Sequence, residues 1–280
     1  MGDIATHWPV LIEVIVLGLF AGVAGGLLGV GGSVIMIPGL TLLLGPNQHV
    51  YQAAAMIANV AVSVPAARRH CQAGMLVPRA LQWMAPAAVA CIFIGVWLSN
   101  LEVFAPAGPG GQGNGEVWLR RLFAAFLIYV TVLNVWRLWQ PRMSRNAADW
   151  KLTPWRGLTV GSVLGTIAGL LGVGGGAIAV PLQQVLMRMP LRNCIANSAT
   201  VICITATLGA LYKNLSLVPD QRWHSLTLAL AMAPTCVLGG YWGGYLTHRL
   251  PVRQVRVVFI IMLLAAAVRM ADIPWLNLTG

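Results

Sequence analysis

Apolar residues run in long blocks along most of this chain, separated by short polar stretches. A helix needs ~20 mostly apolar residues to cross a bilayer. The blocks at 49–68, 78–101, 117–140, 192–213, 224–247 and 252–271 each predict one such helix. Two others, 10–44 and 157–189, are too long for a single span, and each is interrupted by a glycine-rich patch. The stretch 102–116 carries Pro106, Pro109, Gly108, Gly110, Gly111, Gly113 and Gly115 and reads as an irregular loop. The polar, basic stretch 141–156 reads as a connector between two halves.

Composition explains why these blocks belong in a membrane. The chain is 58% hydrophobic and 9% charged, with a mean hydropathy of +0.76. Soluble domains carry about 25% charged residues, so most of this surface must face lipid. The remaining charge is unbalanced, 18 Lys and Arg against 7 Asp and Glu. On a soluble protein that balance would suggest nucleic acid. Here the basic residues fall between apolar blocks, at Arg68–Arg69, Arg137–Arg156 and Arg249–Arg256, as in the cytoplasmic loops of membrane proteins. Nucleic acid is therefore excluded as a partner. Cys71, Cys91, Cys194, Cys203 and Cys236 form no CxxC pair and read as small apolar helix residues, so neither a metal nor another cofactor is expected. The opening residues lack the basic start of a cleavable signal peptide.

The two halves are copies. Gly25-Gly26-Leu27-Leu28-Gly29-Val30-Gly31-Gly32-Ser33, closed by Pro38, matches Ala168-Gly169-Leu170-Leu171-Gly172-Val173-Gly174-Gly175-Gly176, closed by Pro181, at a constant offset of 143. The predicted fold is all-α and polytopic, with a first repeat at 1–140, a connector at 141–156 and a second repeat at 157–280. Each repeat has a glycine-broken first segment plus three spanning helices. If the broken segments turn back, the second repeat is inverted, and thirteen basic residues share the cytoplasmic side. These are Arg68, Arg69, Arg79, Arg137, Arg142, Arg145, Lys151, Arg156, Arg188, Arg192, Arg249, Arg253 and Arg256. If the segments cross, eleven do. Both arrangements satisfy the charge rule; inverted repeats satisfy it better.

A broken backbone exposed to lipid costs several kcal/mol per unpaired polar group, so both breaks must lie in protein or line a wet cavity. Gly31 and Gly32, with Gly174, Gly175 and Gly176, free the backbone for a sharp turn. A new half-helix is expected near Ser33 in one repeat and near Ala177 in the other. Two converging half-helix N-termini, with unpaired N–H groups and positive dipole ends, suit an anion. Ser33 is expected to cap its half-helix or touch the ligand. Close helix packing is the other use of such glycines, and it is assigned to Gly239-x-x-x-Gly243 and Gly240-x-x-x-Gly244.

Asn59 and Ser63 in the first repeat, and Asn197, Ser198, Thr200 and Thr205 in the second, are candidates to line the cavity, with Gln183 and Gln184 weaker ones. An interhelical hydrogen bond is equally open to each. Arg68, Arg69 and Lys213 fall near helix ends, where snorkelling to the interface is the expectation and drawing anions into a vestibule the alternative.

At the paired GLLGVGGS and GLLGVGGG patches, each with its following proline, the sequence resembles the sulfite exporter TauE/SafE family of bacterial membrane proteins. The resemblance extends through Ala196-Asn197-Ser198-Ala199-Thr200 and the glycine-rich seventh helix followed by Leu250-Pro251, and it covers nearly the whole chain. It implies export of sulfite, sulfoacetate-like organosulfonates or related small anions across the bacterial inner membrane. The apolar run Ala54-Ala55-Met56 stands where the second half has Asn197-Ser198, so the second repeat is expected to carry more of the selectivity.

Other readings have less support. A dinucleotide site needs a strand before its glycines and an acidic residue about 20 positions beyond, and neither repeat supplies that residue. A membrane-embedded transferase needs a nucleophile paired with a base, and no such spacing appears, so the chain is not expected to be an enzyme. Import of a related anion and a homodimer both remain open. The carboxylates and histidines lie toward segment ends, so no intramembrane proton relay is expected. A monovalent anion leaving a negative interior gains about 2.3 kcal/mol per 100 mV, which makes the membrane potential a sufficient drive.

Overall fold

The computed structural model describes residues 8–45, 47–101, 114–139 and 149–251, with nine further positions between 253 and 267. Among these the regular structure is helical throughout: α1 Trp8–Leu28, α2 Ser33–Leu44, α3 Gln48–Gln72, α4 Pro78–Ser99, α5 Asn114–Leu138, α6 Pro154–Leu171, α7 Gly176–Leu186, α8 Leu191–Ser216 and α9 Pro219–Arg249. Six helices (α1, α3, α4, α5, α8 and α9) are long and apolar enough to cross a membrane, while α2 and α7 are shorter apolar pieces. The protein is a multi-pass membrane protein. Its outward surface fits lipid: Phe20, Trp97, Tyr129, Leu230 and Trp242 are among many large apolar side chains left exposed. The predicted span at 252–271 and the loop at 102–116 fall mainly outside the described residues.

α3 and α8 form the centre and run antiparallel. His49 at the start of α3 meets Lys213 near the end of α8. Midway, a side chain added at Gly209 would meet Met56 Sδ at 3.4 Å. Past the other end of α3, the Met75 carbonyl accepts from Asn193 Nδ2 at 2.9 Å. Around this pair the halves exchange partners: α1 packs along α9, and α6 packs along α4.

Glycine makes those two contacts close. Gly18, Gly22 and Gly26 of α1 lie against α9, and Gly161, Gly165 and Gly169 of α6 lie against α4, at the same offset of 143. A Cβ on Gly22 would sit 2.9 Å from the Cys236 carbonyl oxygen, and one on Gly165 would sit 2.9 Å from Ala88 Cα. Gly239 and Gly243 face α1 equally tightly, so they do serve packing. Without water to drive association, close backbone approach and dispersion hold such helices together.

α2 packs against α1: a Cβ on Gly39 would meet Leu17, and one on Gly32 would approach the Ala21 carbonyl. α7 packs against α6 likewise, with Gly175 against Leu164. Arg156 at the start of α6 donates to the Leu186 carbonyl at 2.8 Å, and the Lys151 N–H donates to the Met187 carbonyl at 2.9 Å. The α6–α7 segment thus begins and ends at one end of the bundle. Arg192 donates to the Leu250 carbonyl at 3.3 Å and His70 pairs with His248 at 3.0 Å, which brings the end of α3 and the end of α9 to that same end.

Candidate functional site

The breaks lie where the sequence puts them. α1 stops at Leu28 and α2 starts at Ser33; α6 stops at Leu171 and α7 starts at Gly176, one residue before the position expected. Gly29 and Gly31 have φ of 63° and 81°, and Gly172, Gly174 and Gly175 have φ of 70°, 70° and 74°. An L side chain there costs roughly 1–2 kcal/mol in the left-handed region. The two loops differ at one point: Gly32 is right-handed at φ −76°, while its counterpart Gly175 is left-handed.

Each loop packs on the central helix of the other repeat. A Cβ on Gly29 would fall 2.5 Å from the Ile195 carbonyl oxygen of α8, and one on Gly172 would fall 2.8 Å from Gln52 Cβ of α3. Gln52 and Ile195 are themselves 143 positions apart, so the two contacts are equivalents. The loops also touch each other: a Cβ on Gly176 would lie 2.6 Å from Val30 Cα. The two interruptions therefore meet inside the bundle, with Val30, Gly31, Val173 and Gly174 buried.

Asn59, fully buried midway along α3, stands at that meeting point. Its Oδ1 accepts the Ser33 N–H at 3.1 Å, and its Nδ2 donates to Ser33 Oγ at 2.9 Å. A Cβ on Gly174 would come 2.9 Å from the same Nδ2, so Asn59 borders both loops. Asn59 thus takes the first N–H of α2 from across the helix interface, and Ser33 Oγ accepts from the same amide. The equivalent of Asn59 is Ile202, which offers no such group to α7. In α7 the intrahelical ladder begins with Ile178 and Ala179 donating to the Gly175 carbonyl, so the Gly176 and Ala177 N–H groups precede it. A shallow, partly open hollow adjoins the first loop, walled by Ala24, Gly25, Leu28, Val30 and Gly31.

The remaining candidates are spread out. Ser63 is buried one turn beyond Asn59, with its hydroxyl toward the Val60 carbonyl. Thr200 and Thr205 bond back to carbonyls of their own helix. Asn197 and Ser198 form a network with Gln183: Asn197 Oδ1 accepts the Val77 N–H ahead of α4 at 2.9 Å, and Gln183 Nε2 donates to Ser198 Oγ at 2.9 Å. This network ties α4, α7 and α8 together away from the Asn59 contacts. Its polar groups are occupied because a buried amide without partners would cost about 1–3 kcal/mol.

Arg68 is exposed, and Arg69 stacks on Tyr241 at 3.9 Å from the ring centroid while donating to its hydroxyl. Lys213 corrects the snorkelling expectation. It is 0% exposed, and its Nζ lies 3.0 Å from His49 Nδ1, 2.9 Å from Ser99 Oγ and 2.8 Å from Asn100 Oδ1. Sequence reading also passed over the pair of buried His70 and half-buried His248, whose ring centroids are 5.1 Å apart, and buried Gln52, whose Oε1 has no hydrogen-bond partner among the described residues. A signal existed: His70 and Lys213 stand 143 positions apart, as do His49 and Arg192. Equivalent polar positions in a duplicated membrane protein warrant pairing across the repeat.

The model of the family described as Sulfite exporter TauE/SafE matches residues 14–270. The chain is 25% identical to the "probable membrane transporter protein MamO" of Magnetospirillum gryphiswaldense, with 91% of this chain covered. It spans only 44% of the length of that relative. It is 23% identical to a "probable membrane transporter protein" of Haemophilus influenzae, covering 91% of this chain and 96% of the relative. It is also 22% identical to YunE of Bacillus subtilis, a protein of the same description, covering 90% and 94%. No solved structure matches. A helical bundle with enough apolar spans for a membrane, glycine patches at both helix breaks and a family match along nearly its whole length leads to one assignment: this chain belongs to the TauE/SafE sulfite exporter family.

Proposed function

We propose that the chain exports a small anion, such as sulfite or a sulfoacetate-like organosulfonate, across a bacterial inner membrane by alternating access. The anion is held where the two glycine breaks meet. One observation carries the reading: the loops are in direct backbone contact beside Asn59, next to the start of α7. The N–H groups of Gly176 and Ala177 and the positive end of the α7 dipole supply attraction without a fixed charge. That suits a solute which must also leave. Ser33 and Asn59 position the first loop, and Gly31, Gly32, Gly174 and Gly175 let backbone approach the ligand closely.

Two further features support inverted repeats. The equivalent helices α3 and α8 run antiparallel, which suits a pseudo-twofold axis lying in the membrane plane. The segments α1–α2 and α6–α7 double back, as re-entrant hairpins do. The end that gathers Lys151, Arg156, Arg192 and Arg249 is assigned to the cytoplasm. Alternating access then amounts to rocking one repeat against the other around the fixed central loops.

Flux from proteoliposomes under a clamped potential tests this. Efflux of sulfite or sulfoacetate should rise with interior-negative voltage, and flux that ignores voltage but follows a pH gradient overturns the proposed drive. A melting screen with sulfite, sulfoacetate, isethionate, taurine and acetate names the substrate class by which solute stabilises the protein.

A further inference from the structure

We propose that Lys213 forms a second anion station, at the mouth opposite the basic end. The station goes beyond the central site but takes the same class of ligand, a small oxyanion. Lys213 lies near the C-terminus of α8, where α8 meets the start of α3 and the end of α4. Its ammonium is wholly buried and touches His49, Ser99 and Asn100, and no carboxylate pairs with it among the described residues. A buried charge is normally matched by an opposite one, because desolvation is otherwise uncompensated. Here hydrogen bonds satisfy the donors, and no carboxylate among the described residues matches the charge. A mobile anion completes the balance.

Access comes from Asn100. It caps α4 and is exposed, unlike Ser99 and Lys213. An oxyanion approaching from that mouth displaces the Asn100 carbonyl from Nζ and exchanges a neutral acceptor for a charged one, which gives a shorter and stronger hydrogen bond. His49 and Ser99 keep the ammonium aimed at the mouth. The opposite end differs in kind: His70, at the equivalent position, faces the imidazole of His248. The two mouths thus carry different chemistry, with the buried Lys213 on the side where an exported anion departs.

The test counts binding sites for radiolabelled sulfite on the purified full-length protein in detergent, against a chloride background. Wild type should bind two sulfites per chain, Lys213→Met one, and Lys213→Arg two. Asn59→Asp should also bind one, the ion retained at Lys213. Size-exclusion profile and melting temperature without ligand identify folded variants. If Lys213→Met binds as many sulfites as wild type, the mouth station is overturned. If wild type binds one sulfite that Asn59→Asp abolishes and Lys213→Met leaves, the mouth station falls and the central site stands. If the one sulfite is lost in Lys213→Met and kept in Asn59→Asp, the mouth station stands and the central site falls. No binding to wild type overturns both.

Discussion

Asn59 grips Ser33 at both ends of its amide, accepting the backbone N–H and donating to the hydroxyl, although 26 residues separate them. This pair fixes the first turn of α2 against the middle of α3, and so fixes where the first break sits relative to the second. A cap supplied by another helix lasts only while both helices keep their places. The bond pair therefore couples the breaks to the central α3–α8 packing.

Replacing Asn59 separates the structural from the electrostatic role. Asn59→Asp keeps an acceptor for the Ser33 N–H and can accept from its hydroxyl, but places negative charge beside the loops. It should assemble in the membrane and lose anion flux. Asn59→Leu removes both bonds and strands two polar groups, each costing about 1–3 kcal/mol, so it should also lower the melting temperature. Proteoliposome flux and detergent melting curves check both. Wild-type flux in Asn59→Asp would remove Asn59 from the anion site.

The glycines should not respond alike. Gly31→Ala and Gly175→Ala force an L residue into the left-handed region, and each added methyl meets a fixed neighbour, Asn59 Oδ1 at 2.9 Å or the Leu164 carbonyl oxygen at 2.6 Å. Gly32→Ala keeps an ordinary φ and meets chiefly the flexible tip of Met36. The first two should lose most flux, and Gly32→Ala should retain the most, because about 1–2 kcal/mol of backbone strain is absent there. Parallel flux assays at matched protein amounts give the order.

Packing glycines away from the breaks should act on stability. Gly22→Val in α1 and Gly165→Val in α6 drive a branched side chain into a neighbouring backbone. Overpacking of this kind costs about 1–3 kcal/mol. Both should melt several degrees lower and by similar amounts, since they occupy equivalent positions. A large difference between them would mean that the two interfaces, α1–α9 and α6–α4, carry unequal weight.

Ala73 and Ser216 are exposed, stand 143 positions apart, and follow or end the equivalent helices α3 and α8. With the native cysteines replaced, Ala73→Cys and Ser216→Cys should react with an impermeant thiol reagent from opposite sides of the membrane. Ala73→Cys should label only in inside-out vesicles. Labelling of both from one side would mean parallel repeats.

The class of protein, the predicted spans within the described residues and both breaks were legible in the residues, and so was the duplication. Each is a local property: a run long enough to span, a glycine cluster inside it, a string repeated at one offset. The candidate site was legible only in part. Asn59 and the glycines come together, whereas Asn197 and Ser198 are spent on the Val77 N–H and Gln183, and Thr200 bonds to its own helix. A polar residue in an apolar helix announces that it needs a partner, not which partner it finds.

By itself the sequence determined that this chain is helical and lives in a bilayer, with one glycine motif written twice at an offset of 143, because hydrophobicity and backbone freedom are written residue by residue. Only the tertiary structure decided that the two breaks touch, that Asn59 holds the first and borders the second, and that Lys213 is enclosed instead of reaching for the interface. Those contacts join groups up to 164 positions apart. Whether a buried amide or ammonium is satisfied depends on which helix arrives beside it, and that is settled by the packing of the whole bundle.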